Sequence, residues 1–153
     1  MRHSTSLAAW AAGGLAAVFL MATGAAVAQL KVNPPPIPPN ERDVYLVRLD
    51  QSDCYNSNVP NTDGPNVTGY VQVIRGTDGT TQVKVALTGT PNTNYQFYLK
   101  CKRQIGSVQT GDEGVGTGLF TFQTNEIGNT FAFDSYPTGA PAGNKFQSAS
   151  VKF

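Results

Sequence analysis

The chain has 153 residues, a length that suits one folded domain, and its 11 Lys and Arg nearly balance its 10 Asp and Glu. No basic run extends beyond Lys100, Lys102 and Arg103, so the charge pattern argues against nucleic acid or anionic lipid as a partner. The single histidine, His3, lies in the first few residues, so imidazole-based catalysis and the usual transition-metal sites are excluded from the rest of the chain. We therefore expect no cofactor and no metal.

Residues 1–28 have the pattern of a secretory signal peptide. Arg2 precedes an apolar run over residues 7–20, and small residues follow up to an Ala-x-Ala site at Ala26 and Ala28. The alternative is an uncleaved membrane anchor, since the apolar stretch approaches the about 20 residues that span a bilayer. Its many alanines and glycines make it a weak anchor. We predict an exported protein, periplasmic or extracellular, without a membrane span after signal removal.

A proline-rich linker is predicted next, over residues 29–42. Its prolines favour a semi-rigid polyproline spacer, and docking into an aromatic groove of a partner is the alternative. The folded domain is then expected to comprise residues 43–153.

Within this domain, short alternating runs separated by Gly, Pro, Asn and Asp indicate β-strands and no helix. In the first strand, alternation places Tyr45, Val47 and Leu49 on the buried face. In the fourth, Cys101 points into the core and Lys100 faces out. The fold class predicted is all-β, a single antiparallel β-sandwich of about seven strands. The predicted strands cover residues 44–49, 70–75, 80–88, 95–101, 119–124, 130–135 and 146–153.

Cys54 and Cys101 are the only two cysteines of the chain. In an exported protein the oxidising compartment favours a disulfide between them. The chain-entropy model gives such a bond about 4 kcal/mol of stabilisation. A redox-active pair is less consistent with this wide spacing, because such pairs usually lie as C-x-x-C.

The segment LTGTPNTNYQFYL, residues 87–99, resembles the tyrosine corner of immunoglobulin-like and fibronectin-type-III-like domains. The matching residues are Leu87, Pro91, Thr93 and Tyr95. The resemblance implies a turn that crosses between sheets, with the Tyr95 hydroxyl bonded back to that turn. Two features depart from antibody domains: Cys101 follows the tyrosine by six residues instead of two, and no tryptophan is available for the core. The resemblance therefore indicates a looser Ig-like sandwich.

Candidate partner-binding residues lie in two loops, because loops on a rigid scaffold vary without disturbing its core. Asp53, Tyr55 and Asp63 belong to the long polar loop 50–66, and Asp112 and Glu113 belong to the Gly-rich loop 106–118. We expect both loops to lie at one end of the sandwich. The predicted function is a non-enzymatic binding or surface-assembly module for an unknown macromolecule, either a protein or a glycan.

Three alternatives remain open at this point. The carboxylates and amides of the long loop have the oxygen chemistry of a weak calcium site, although their spacing matches no EF-hand and suits ordinary turns. A secreted carbohydrate-active enzyme or carbohydrate-binding module would use Tyr55, Tyr98 and Tyr136 against sugar faces. A purely structural subunit of a surface layer is the third.

Overall fold

The computed structural model describes residues 35–140 and 145–153. The predicted signal peptide and the first part of the predicted linker lie outside the described residues. None of the described residues forms a helix that is long and apolar enough to cross a membrane.

The described part of the chain forms ten strands and one turn of 3-10 helix, Thr124–Glu126, and all of the strand pairs are antiparallel. The all-β prediction is confirmed. The strands are β1 Glu41–Arg48, β2 Val67–Arg75, β3 Thr80–Thr88, β4 Asn94–Leu99, β5 Arg103–Gln109, β6 Val115–Gln123, β7 Thr130–Phe131, β8 Phe133–Pro137, β9 Phe146–Ser148 and β10 Val151–Lys152.

Eight strands form one sheet in the order β5-β4-β8-β9-β1-β2-β3-β6, and β10 pairs with β7 in a second, two-stranded sheet. The two edge strands of the large sheet, β5 and β6, are consecutive along the chain and are joined by the short connection 110–114. Gly111 N donates to Val115 O at 3.0 Å across this connection. Because the two edges meet there, the sheet must fold back on itself, which gives a nearly closed, sandwich-like architecture.

Glycines let the two edge strands approach each other. A Cβ on Gly106 of β5 would lie 2.2 Å from the ring of Phe120, and one on Gly116 of β6 would lie 2.7 Å from Gln109 O. Both distances are far below van der Waals contact, so only glycine fits. The prediction of a Gly-rich loop over residues 106–118 is therefore wrong, because these residues include all but the start of β5 and the first part of β6.

The strand count also differs because two predicted strands are each divided. The predicted strand 130–135 is β7 and β8, separated by Ala132, and the predicted strand 146–153 is β9 and β10, separated by residues 149–150. These interruptions let the chain leave the large sheet for the two-stranded one, so ten strands form where about seven are expected.

The core lies between the folded halves of the sheet and is dominated by aromatic rings. Phe97 stacks on Phe120 and on Phe133, with ring centroids 5.3 Å apart in each pair. Tyr95 stacks on Phe146 at 5.2 Å. Burying each such side chain contributes about 1.5–3 kcal/mol. The inward residues predicted for β3 and β4 are buried: Val83, Val85, Leu87, Tyr95, Phe97 and Leu99.

The predicted inward face of β1 is wrong for two of its three residues. A bulge between Leu46 and Val47 shifts the pairing register with β2. Leu46 and Val47 are consequently both buried, whereas Tyr45 is only half-buried. Leu49 is 40% exposed because it lies beyond the end of β1. A bulge adds one residue to a strand and reverses the alternation beyond it, which period-two reasoning does not anticipate.

The end of β4 also differs from the prediction. Cys101 lies beyond the strand, is exposed, and adopts a left-handed φ of 57°. Lys100, expected on the outer face, is instead buried, with 9% of its surface exposed. The chain turns at this point, so the two residues exchange the faces that a continued strand would give them.

The segment that resembles a tyrosine corner connects β3 to β4. Thr90 N donates to the Tyr95 hydroxyl at 2.8 Å, the type of contact that the resemblance implies. Gly89 lies against the same ring, where a Cβ would be 2.4 Å from the hydroxyl oxygen. The large sheet places β2 between β1 and β3, which differs from the A-B-E-D order of an immunoglobulin sheet, so the Ig-like fold stays a prediction.

The Tyr95 hydroxyl bond is testable by substitution. We expect Tyr95→Phe to lower the free energy of unfolding by about 1–2 kcal/mol, because Thr90 N loses its acceptor. Urea unfolding measures the change. Tyr98→Phe is the matched control, since its half-buried hydroxyl bonds to the side chains of Gln96 and Tyr136 and to no backbone group of the corner, and it should change stability by less than about 0.5 kcal/mol. Equal effects of the two variants would contradict a stabilising corner.

Candidate functional site

The long connection between β1 and β2, residues 49–66, is attached covalently to the end of β4. Cys54 and Cys101 form a disulfide with their Cα atoms 5.5 Å apart, so the predicted pairing is confirmed. The connection contains no strand, and the disulfide fixes its first half beside the turn that follows β4. We call residues 50–59 the tethered loop.

Asp53 stabilises the turn of the tethered loop through hydrogen bonds to backbone N–H groups. Its carboxylate accepts hydrogen bonds from Tyr55 N at 2.8 Å and from Ser57 N at 3.2 Å. The Tyr55 N–H is the largest cause of a lowered pKa for Asp53, because it stabilises the charged carboxylate. Asp53 was predicted to bind a partner, but its carboxylate is already engaged in holding the turn.

A buried polar network lies beneath the tethered loop. Lys100 Nζ donates to Gln51 O and to Asn56 Oδ1, and it lies 3.5 Å from Asp134 Oδ1. Asn56 is completely buried, and its Nδ2 donates to Ser148 O at 3.0 Å. The network joins the tethered loop to β4, β8 and β9.

Burial raises the pKa of Asp134, and the positive charges of Lys100 and Lys145 offset part of that rise. Sequence reasoning missed this network. Asn56 is one of several Asn residues in a polar loop, and Lys100 occupies an outward position of the alternating pattern. Neither residue carries a signal of burial in the sequence alone.

Tyr55 is the aromatic residue among the predicted site residues, and the structure leaves it exposed. It is 54% exposed and lines a cleft of about 330 Å³ next to the disulfide. Phe131 and Ile127 provide apolar wall, and the exposed Lys102 provides positive charge. The remaining lining residues are Cys54, Lys100, Cys101, Gly128 and Thr130.

Asp63 lines a different cleft, of about 320 Å³, formed by the end of β1 and the second half of the long connection. Its carboxylate accepts a hydrogen bond from Gly64 N at 2.9 Å, and the residue is exposed. Asp63 is therefore accessible to a partner, but it does not share the Tyr55 cleft.

Asp112 and Glu113 are exposed in the connection between β5 and β6. This connection lies beside the start of β4, where Asn92 N donates to Gly111 O at 3.1 Å. The disulfide lies at the other end of that strand, which rises about 17 Å from Asn94 to Leu99. The expectation that both loops share one end of the sandwich is therefore wrong.

Tyr98 and Tyr136 stack on each other across β4 and β8, with centroids 4.8 Å apart and planes 8° from parallel. Each ring thus covers one face of the other, and that face is not accessible for stacking against a sugar. Lys145 Nζ lies 5.6 Å from the centroid of Tyr136, and burial is the main cause that raises the pKa of Tyr136 to about 12. Of the three tyrosines considered for sugar stacking, only Tyr55 is largely exposed.

Within residues 35–140 and 145–153, no three His, Cys, Asp or Glu side chains come together as ligands for a metal ion. Comparison with known protein families and with curated proteins finds no match for this chain. The functional argument therefore rests on the geometry of the site.

The structural role of Asp53 predicts a specific pH dependence. A carboxylate whose pKa is lower in the folded chain than in the unfolded chain stabilises the fold above the unfolded value, ordinarily about 3.9, and loses that contribution as pH falls through the folded value. Asp53→Asn keeps the acceptor oxygen and removes the titration. We therefore expect the stability advantage of the wild type over this variant to shrink as pH falls below about 4.

Urea unfolding at a series of pH values between about 6 and 2 measures this difference. Asp63→Asn is the matched control, because its carboxylate accepts only from the adjacent Gly64 N. A gap between wild type and Asp53→Asn that stays constant over this pH range would disprove the assigned role.

Proposed function

We propose that this protein is an exported, non-enzymatic binding module that recognises a macromolecule, protein or glycan, through Tyr55 and the adjoining cleft. The observation that carries the proposal is the exposure of Tyr55 on a loop that the disulfide and the buried network hold in place. The signal-peptide pattern supports export, and the disulfide is compatible with an oxidising compartment.

Tyrosine suits this role because it offers a large contact area, a polar hydroxyl and few rotatable bonds. Tyrosine is also enriched among the residues that contribute most to binding free energy. A loop that is ordered before binding loses little conformational entropy when the partner arrives. The tethered loop meets this condition through Cys54, Asp53 and Asn56.

The lining of the cleft indicates the chemistry that would fit it. Phe131 and Ile127 favour an apolar group, and the Lys102 ammonium favours a carboxylate or another hydrogen-bond acceptor beside it. We expect the bound segment to offer both groups close together.

The two carboxylates of the connection between β5 and β6 have a geometry that suits solvation better than catalysis. Asp112 and Glu113 are adjacent in sequence and exposed, so they are not held on opposite sides of a substrate as glycoside hydrolysis requires. This arrangement supports the binding role over the carbohydrate-active enzyme.

Affinity capture followed by variant binding tests the proposal. The immobilised domain is exposed to an envelope extract of the host, and each captured molecule is then titrated against purified variants. We expect Tyr55→Ala to weaken the specific partner at least about tenfold, since loss of a central aromatic contact costs about 1.4 kcal/mol or more. Tyr55→Phe should retain most of the affinity.

The double variant Asp112→Ala with Glu113→Ala is the control, because it alters an exposed surface at the far end of β4 and leaves the cleft intact. We expect it to bind like the wild type. A partner that binds Tyr55→Ala as well as the wild type, or a hydrolytic activity that the double variant loses, would disprove the proposed function.

A further inference from the structure

Three side chains of the buried network have the chemistry of an amide-forming reaction. Lys100 carries a primary amine, Asn56 a carboxamide, and Asp134 a carboxyl group. The exposed fractions of the Lys100 and Asp134 side chains are 6% and 13%, and Asn56 is 0% exposed. An amine, an acceptor carbonyl and a proton carrier are therefore held together away from bulk water.

We propose that Lys100 and Asn56 form an intramolecular amide bond between Nζ and Cγ, with Asp134 as the catalytic proton carrier. The product is a covalent cross-link between the tethered loop and the residue that follows β4, and ammonia is the leaving group.

The Lys100 amine is already in contact with the carboxamide that it would attack. Lys100 Nζ donates to Asn56 Oδ1, and the carbonyl bond places Cγ only about 1.23 Å beyond that oxygen. Nζ therefore lies within about 4 Å of the carbon it would attack, close to the about 3–3.5 Å separation of a near-attack conformer.

Both partners are fixed in position. Asn56 Nδ2 donates to Ser148 O, which sets the plane of the carboxamide. The Cys54–Cys101 disulfide holds the two backbone segments together, with Cys101 next to Lys100 and Cys54 two residues before Asn56. Such alignment converts an otherwise slow reaction into an effectively unimolecular one.

The reaction balances without an oxidant, a reductant or a cofactor. The Lys100 ammonium gives one proton to Asp134, and the freed Nζ lone pair forms the bond to Cγ. The Cγ–Nδ2 bond breaks as Asp134 passes its proton to Nδ2, which leaves as ammonia. Nζ then gives a second proton to Asp134 and keeps the single hydrogen of an amide. Asp134 passes this proton to the ammonia, which leaves as ammonium, and the carboxylate is restored.

Asp134 is placed to carry these protons. Its Oδ1 is buried, makes no hydrogen bond of its own and has the Lys100 ammonium 3.5 Å away. Burial disfavours its charge and raises its pKa, which makes it a better proton acceptor, while Lys100, Lys145 and Gln147 favour the charged form. Lys100 also lines the Tyr55 cleft, which gives ammonia a route to solvent.

The acceptor is Asn56 and not Asp134. Lys100 Nζ is in hydrogen-bond contact with the Asn56 carbonyl, whereas the Asp134 carboxyl is farther away, at ion-pair distance. A carboxylate is also a poor acceptor for a nucleophile, while a neutral carboxamide has an electrophilic carbon.

Mass spectrometry of the wild-type protein, purified as the exported form, tests the bond. We expect an intact mass, after reduction of the disulfide, that is about 17 Da below the mass calculated for the N-terminus actually present, with any cyclisation of Gln29 counted separately, because the cross-link releases one ammonia. Trypsin should then fail to cleave after Lys100 and should release residues 49–75 joined to residues 85–102 as one branched peptide, with Asn56 and Lys100 at the junction.

Other outcomes overturn the proposal. A full sequence mass with cleavage after Lys100 shows that no bond forms. The same mass loss with two linear peptides also shows that no bond forms: a loss on the peptide with Asn56 indicates a succinimide there, and a loss on the N-terminal peptide indicates a cyclised Gln29. A branched peptide that contains Asp134 in place of Asn56 shows that the proposal names the wrong acceptor.

Two variants test the assigned roles. Lys100→Arg retains a buried positive charge without a reactive amine, so trypsin should cleave after residue 100 and release no branched peptide. Asp134→Asn retains the size of the side chain, and we expect it to lack most of the cross-link although Lys100 and Asn56 are both present. If Asp134→Asn is cross-linked as completely as the wild type, Asp134 is not the proton carrier.

Discussion

The structure depends on how the chain holds a long connection that has no strand partner. Residues 49–66 join β1 to β2 without regular structure, so their buried backbone groups need partners from elsewhere. The disulfide, the Asp53 turn and the Lys100 network supply them. All three act on the same short segment, and two of them end at the turn after β4. The fold therefore uses the end of one strand as the anchor for its least regular part.

Sequence periodicity predicted the strands whose two faces differ most in polarity. β3 and β4 were predicted well because apolar and polar residues alternate without interruption, as at Val83 to Leu87. β5 was not predicted, because a glycine in the sequence can indicate either a loop or a close approach between strands. Gly106 and Gly116 lie where strands approach closely, and this is known only from the positions of Phe120 and Gln109 in the fold. Neither neighbour can be identified before the topology is known.

The site was predicted in part, for similar reasons. The chain has two cysteines, which leave one possible pairing, so the disulfide followed from composition together with the predicted export. The exposure of Tyr55 agrees with its place in a polar loop. Asp53 and Asn56 could not be distinguished from their neighbours, because the sequence shows hydrogen-bonding capacity but not which groups use it internally. Separating the two candidate loops required the direction of β4 and its pairing with β5.

The two ends of β4 consequently differ in how their loops are held, and this difference bears on binding. The connection between β5 and β6 contains Gly111 and Gly114 and is held by backbone hydrogen bonds such as Gly89 N to Gly114 O. The tethered loop adds a covalent link and a buried side-chain network. If a partner bound the connection between β5 and β6, ordering that connection would cost conformational entropy and reduce the binding free energy. Binding to the tethered loop would cost less, because that loop is already held in place. This asymmetry is the physical reason for assigning recognition to Tyr55, where a large exposed ring stands on the loop that the fold constrains most.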